Sequence, residues 1–190
     1  MELLKKKILE VGRVEGEGIL KVDSFLNHQL DIPLLNAMGK EFAKRFKSMG
    51  ITKVLTAEVS GIAIAVFVGQ YLEVPVVFAK KTLSKNLDRE TYEGEVYSYT
   101  KGMKYKIRVS KRYLFKEDKV LIIDDFLAEG QAILGLKEII DEAHAELMGV
   151  GIVIEKGFQQ GGKIVRDLGI NLKSLVIVDS MKEGKIIFRE

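Results

Sequence analysis

Two adjacent acids close an aliphatic run, Val120-Leu121-Ile122-Ile123-Asp124-Asp125, and a loop of mostly small residues, Ala128-Glu129-Gly130-Gln131-Ala132, follows shortly after. Adjacent carboxylates are costly to bury together unless donors or a cation satisfy both. Sugar hydroxyls and Mg²⁺ are partners of that kind. A small-residue loop that opens a helix presents free backbone N–H groups, which suits a phosphate dianion. A helix cap accounts for one acid near Asp125, but not for a pair behind four aliphatics. A second place for an anion is Ser60-Gly61, where Gly61 admits close backbone approach and Ser60 can donate. Taken alone, that dipeptide is also an ordinary strand-to-helix turn. Lys80 and Lys81 supply positive charge further along.

These residues need elements to hold them, and the hydrophobic pattern provides them. Leu4, Ile8 and Val11 recur at helical spacing in residues 1–11, Gly12 to Gly18 break the pattern, and residues 19–25 look extended. Pro33 suits a first helical turn, and the helix it opens carries Leu34, Leu35, Met38, Phe42 and Phe46 on one face, stopping before Gly50. Strands are expected at 53–59, 75–79, 120–123, 149–154, 174–178 and 185–188, with helices at 61–72, 130–145 and 162–168 between them. Such alternation implies an α/β fold: a mostly parallel sheet flanked by helices. Asp124 and Asp125 then sit at the carboxyl end of a parallel strand, where open α/β sheets bind ligands. Residues 81–112 interrupt the rhythm and read as a flexible loop followed by a hairpin around Lys101-Gly102, with Tyr97 to Tyr99 and Ile107 to Val109 as its arms.

Composition narrows the function classes. The chain has 190 residues, 47% hydrophobic and 30% charged, with a net charge of +3. That describes a single folded domain, residues 1–190, and excludes disorder as its main state. The longest apolar stretch, Gly61 to Gly69, is far short of the ~18 residues of a membrane span, and the N-terminus shows no signal peptide, so a cytoplasmic location is expected. There is no Cys and there are two His, which removes thiolate chemistry and makes a multi-histidine metal site an unsuitable reading; no metal ligand is assigned directly. From Lys80 to Arg112, ten basic residues face four acids, a net of +6 against −3 elsewhere. This fits an anionic ligand, either nucleic acid or a small phosphorylated molecule, and equally a lysine-rich solvated hairpin. Composition leaves the two even.

The strand, acid pair and loop resemble the fingerprint of the type I phosphoribosyltransferase family, and the resemblance extends over nearly the whole chain. It is most specific toward the bacterial members that act on xanthine, through residues 20–29, 124–128 and 149–158. It implies that residues 1–32 contribute to a small N-terminal hood over a base. It further implies that Asp124 and Asp125 hold the ribose hydroxyls of phosphoribosyl pyrophosphate and that Ala128, Glu129, Gly130, Gln131 and Ala132 hold its 5′-phosphate. Ser60, Gly61, Lys80 and Lys81 would then meet the pyrophosphate, with Mg²⁺ accompanying it. Where the family commonly has loop hydroxyls this chain has Glu129, Gln131 and Ala132, so phosphate binding shifts toward backbone amides and Glu129 must point away from the dianion.

The resemblance assigns contact with xanthine to Leu20, Asn27 and Lys156. The chemistry of those side chains agrees. A 6-oxopurine offers acceptors at O6 and N7, and a lysine ammonium has donors and no acceptor. Asn27 has both, so it can read an oxo group at C2 beside a ring N–H, and Leu20 can cover the ring face. The implied activity is transfer of the 5-phosphoribosyl group to N9 of xanthine, giving xanthosine 5′-monophosphate and pyrophosphate in purine salvage, by a homodimer with no nucleic-acid or membrane partner. Two alternatives accompany it: preference for hypoxanthine or guanine, and a non-catalytic regulator that senses phosphoribosyl pyrophosphate. Regulators of that type carry an extra N-terminal DNA-binding domain, for which the residues ahead of the hood leave no room.

Overall fold

The structure is a computed structural model that describes residues 1–16, 18–81, 88, 90–99, 102–182 and 185–190. In chain order it has α1 (Glu2–Val11), β1 (Arg13–Glu15), β2 (Ile19–Lys21), a π-helical turn (Asp23–Asn27), α2 (Ile32–Phe46), a short 3₁₀ turn (Lys47–Met49), β3 (Lys53–Ala57), α3 (Gly61–Leu72), β4 (Val76–Ala79), β5 (Thr91–Ser98), β6 (Met103–Ser110), β7 (Lys119–Leu127), α4 (Gln131–Glu142), β8 (Glu146–Lys156), α5 (Gly161–Asp167), β9 (Leu172–Lys182) and β10 (Lys185–Phe188). Six strands form one sheet in the order β10-β9-β8-β7-β3-β4. All its pairs are parallel except β9 with β10.

Local chemistry explains the element boundaries. Asp31 caps α2 by accepting from the Leu34 N–H at 3.1 Å, and Pro33 lies in the first turn. The helix buries the predicted face, and Gly50 ends the following turn at φ 63°. Every residue of β3 is buried, because helices cover both faces of a parallel sheet. The core divides accordingly. Leu121 and Ile123 of β7 pack with α1, α2, α3 and the hood residues Leu20 and Phe25. Val120 and Ile122 pack on the other face with Leu136, Ile139 and Ile140 of α4. This is the two-residue period of a strand.

β5 and β6 form a separate two-stranded ribbon seated on α4. Gly94 and Gly135 make that approach possible: a Cβ on Gly94 would lie 2.0 Å from the Gly135 carbonyl oxygen. The Glu142 and Glu138 carboxylates accept from the Glu93 and Glu95 N–H groups at 2.9 and 2.8 Å, and paired backbone hydrogen bonds between Lys80 and Arg108 tie the ribbon to the end of β4.

Several expectations change: the strand expected at 53–59 ends at Ala57, that at 174–178 spans Leu172–Lys182, and the hairpin arms extend over Thr91–Ser98 and Met103–Ser110. Residues 19–25 are not one extended segment: β2 stops at Lys21, and the π-helical turn buries Phe25 and Leu26. The strand expected to end at Ile123 continues through both acids to Leu127, paired with β8 along its length. β8 in turn reaches Lys156 rather than stopping at Ile154. The loop expected at the start of 81–112 and the Lys101 side of the hairpin turn lie outside the described residues.

Candidate active site

The order of the sheet places the site. From β3 the chain crosses to β4 on one side, while β7, β8 and β9 succeed one another on the other, so the strand order reverses between β3 and β7. Open α/β sheets bind ligands at the carboxyl ends of such a pair. The segment from Glu58 to Gly61 leaves β3 there, and Asp124 and Asp125 stand on β7 beside it. The alternation of core faces along β7 shifts by one across the acids, with Phe126 on the hood side and Leu127 on the α4 side. Past the acids, even-numbered residues therefore face the side that odd-numbered ones faced before them.

Asp124 is 7% exposed. Burial, reinforced by the negative charge of Asp125, holds its carboxyl well above the usual carboxylate range, and Lys81 opposes the effect. Asp124 Oδ1 accepts from the Asp125 N–H at 3.0 Å. Gly61 sits directly over it: a Cβ there would lie 2.9 Å from Asp124 Oδ1 and 2.1 Å from Thr56 Oγ1. The acids, Ser60, Gly61, Glu58 and Lys81 line a cleft of about 100 Å³. Glu58 shapes it by accepting from the Lys81 N–H at 2.6 Å.

Ala132, Val96 and Tyr105 continue from this cleft into a second, of about 320 Å³, lined by residues 128–132 with Phe126 and Lys156. Gly130 begins the loop-to-helix transition at φ 84°, and no side chain caps α4, so its first N–H groups face the cleft without an intrahelical partner. Lys156 Nζ donates to the Gly18 carbonyl of the hood at 2.8 Å and stands 5.7 Å from the Phe126 ring centroid. Burial lowers its pKa, partly offset by Glu129. Glu129 lines the same cleft as Lys156, near enough for its charge to act on the ammonium. Asn27 Nδ2 donates to Asp125 Oδ2 at 2.7 Å, which closes the hood onto the acid pair.

The structure therefore brings together Asp124, Asp125, Ser60, Gly61, Lys81, Ala128 to Ala132, Asn27 and Lys156. Leu20 of the hood is buried, in the cluster against which the cleft residue Phe126 packs. Lys80 faces another way, into a cavity of about 550 Å³ with Phe78 and Arg108, because consecutive residues at a strand end point to opposite sides. Sequence reasoning passed over Tyr105, which lines both clefts. Its hydroxyl is kept protonated by burial and by the Asp124 charge. The signal was the alternation of Tyr97, Tyr99 and Tyr105 in a basic hairpin.

A mostly parallel sheet with an uncapped helix start and an acid pair at the reversal of strand order, beside a separate two-stranded ribbon, defines an α/β protein with a ligand cleft at the strands' carboxyl ends. The phosphoribosyl transferase domain matches residues 30–179, and the chain belongs to that family. It is 65% identical to a protein named xanthine phosphoribosyltransferase from Alkaliphilus metalliredigens, over all of this chain and 94% of the relative. It is 61% identical to one so named from Clostridium novyi, over the whole of both. Among solved structures it is similar to adenine phosphoribosyltransferases from Rhodothermus marinus (TM-score 0.76, 20% identity, 94% of this chain and 100% of that one) and Thermoanaerobacter pseudethanolicus (TM-score 0.75, 19% identity, 92% and 99%). At that identity the likeness concerns the fold.

Proposed function

We infer that this chain transfers the 5-phosphoribosyl group of phosphoribosyl pyrophosphate to N9 of xanthine, giving xanthosine 5′-monophosphate and pyrophosphate. The observation that carries the reading is the hood's closure on both halves of the site, Asn27 onto Asp125 and Gly18 onto Lys156. An amide that reads both donors and acceptors and an ammonium that only donates then frame a cleft whose floor suits a phosphate. The full-length identity to relatives named xanthine phosphoribosyltransferase supports the choice of base.

In this reading N9 forms a bond to the sugar's C1, the C1–oxygen bond to pyrophosphate breaks, and the N9 proton leaves to solvent. The residues contribute position and field rather than a covalent intermediate. Asp124 and Asp125 accept from the ribose hydroxyls, amides of residues 128–132 hold the 5′-phosphate, and Ser60, Gly61 and Lys81 meet the leaving group. Mg²⁺ bound with the pyrophosphate would supply charge screening. The acid pair fits such a cation, since two adjacent carboxylates, one of them buried, line one cleft.

We also read the chain as a cytoplasmic homodimer. Its phosphorylated substrates are too polar to cross membranes unaided, and the homodimer rests on the likeness to the family. The test is the rate of pyrophosphate release with xanthine, guanine and hypoxanthine in the parent, Lys156→Ala and Asn27→Ala proteins. Loss of one buried hydrogen-bonding partner costs about 1–3 kcal/mol. Lys156→Ala should depress all three purines, whereas Asn27→Ala should chiefly erode the preference for xanthine. Parallel losses in Asn27→Ala would remove it from reading C2, and no turnover with any purine would favour a sensing role.

A further inference from the structure

Beside the base-facing lysine lies a buried charge that the reaction does not use. Glu155 is 1% exposed, and its side chain is fully engaged: Arg166 Nη1 and Nη2 of α5 donate to Oε1 and Oε2 at 2.6 and 2.8 Å, and the Ser174 hydroxyl of β9 donates to Oε2. Burial pushes the Glu155 carboxyl up, but the Arg166 and Ser174 hydrogen bonds and the Arg166 charge outweigh it, and the group stays ionised. Only the carboxylate end is buried, the Arg166 side chain being 40% exposed, and such a pair is weak evidence for stability. Its location suggests another use.

Two consecutive glycines begin α5 and touch two different parts of the site. The Gly161 N–H donates to the Ala128 carbonyl at 2.9 Å, and a Cβ on Gly161 would lie 2.4 Å from that oxygen and 2.6 Å from the Gly130 nitrogen. A Cβ on Gly162 would lie 2.1 Å from Glu155 Oε1. One residue thus abuts the phosphate loop and the next abuts the neighbour of Lys156. In the sheet, Glu155 stands in register with Leu127, the residue before that loop.

We propose that α5 is a brace that fixes the distance from the phosphate cradle to Lys156, with Arg166, Glu155 and Ser174 as its positioning residues. The brace rests on the reading of those two subsites given above. A donor and an acceptor base held at separate points react well only when their spacing is set in advance, and small misplacements are expensive. Loosening α5 therefore degrades both subsites together, although none of the three residues touches either substrate.

The experiment compares Arg166→Gln, Arg166→Lys, Ser174→Ala and Gly162→Ala with the parent and Lys156→Ala. Steady-state constants for xanthine and phosphoribosyl pyrophosphate and the Tm are read for each. Arg166→Gln should raise both KM values at least fivefold, with Arg166→Lys recovering part of the loss. If Arg166→Gln does not fold, Ser174→Ala and Gly162→Ala carry the test, with a joint rise of at least twofold expected. A lowered Tm with both KM values unchanged, or a rise for one substrate alone, overturns the brace while a raised xanthine KM in Lys156→Ala leaves the site reading standing. An unchanged xanthine KM in Lys156→Ala overturns both.

Discussion

At the scale of the residue, Asp124 shows how the site opposes the stability of the fold. Its ordinary carboxyl value of 3.8 is raised in the folded chain by burial and then by Asp125. At pH below 3.8 the group is protonated whether folded or not, and contributes nothing. As pH rises through the window between that value and the folded one, the unfolded chain ionises it freely while the folded chain resists, so stability is lost and the deficit is complete above the folded pKa. Asp124→Asn removes the deficit. Calorimetry should show a higher Tm than the parent at pH 7, by about 2–4 °C for each ~1 kcal/mol in a chain of this size, with the difference closing near pH 3.5. The same variant should lose on the order of a hundredfold in kcat/KM for phosphoribosyl pyrophosphate, because a carboxylate that accepts from two hydroxyls becomes an amide that clashes with one. Asp125→Asn added to it should deepen the loss without unfolding the protein. A variant with unchanged kcat/KM and a lower Tm at pH 7 would contradict both parts.

At the scale of the element, the legible features were those in which hydrophobic period and punctuation coincide. Pro33 and the face from Leu34 to Phe46 marked α2, and the aliphatics of residues 120–123 marked a buried strand. What stayed hidden was the length of β7, since two acids read as a strand's end when only polarity is considered. The strand continues because β8 supplies ladder partners past them and the alternation shifts across the pair. The turn that follows β2 was hidden for a related reason: Phe25 and Leu26, both buried, fit a strand covered on both faces as well as they fit a tight turn. Gly61 is the point where element geometry and chemistry meet, as it starts α3 against the Asp124 carboxyl. Gly61→Ala drives a methyl into Thr56 Oγ1 and Asp124 Oδ1. The expected result is a KM for the donor raised about tenfold, ~1.4 kcal/mol, while the KM for xanthine moves less than threefold. Isothermal titration with the donor alone checks it, and an unchanged Kd would detach Gly61 from the pyrophosphate subsite.

At the scale of the whole molecule, the β5–β6 ribbon belongs to neither the sheet nor the hood, yet Tyr105 and Val96 place it over both clefts. Its seat on α4 was not legible, because Glu138 and Glu142 have the i, i+4 spacing of an ordinary solvated helix face. They instead take the place of a neighbouring strand by accepting from the Glu95 and Glu93 N–H groups. An exposed charged hydrogen bond of this kind is worth about 1 kcal/mol, well below what holds the core. Val96, Ile107 and Val109 anchor the ribbon in the core, so loss of these hydrogen bonds loosens its α4-facing edge rather than the fold. Glu138→Ala combined with Glu142→Ala should speed amide hydrogen exchange at Glu93 and Glu95 by about tenfold or more, since ~1.4 kcal/mol is a factor of ten. Exchange in β7 and β8 should stay as in the parent. Because Tyr105 moves with the ribbon, the donor's KM should rise several-fold at nearly constant Tm. Exchange that accelerates equally in the ribbon and in the central strands would mean that the two unfold as one unit, and that the carboxylates of α4 support the whole molecule rather than the cover of its site.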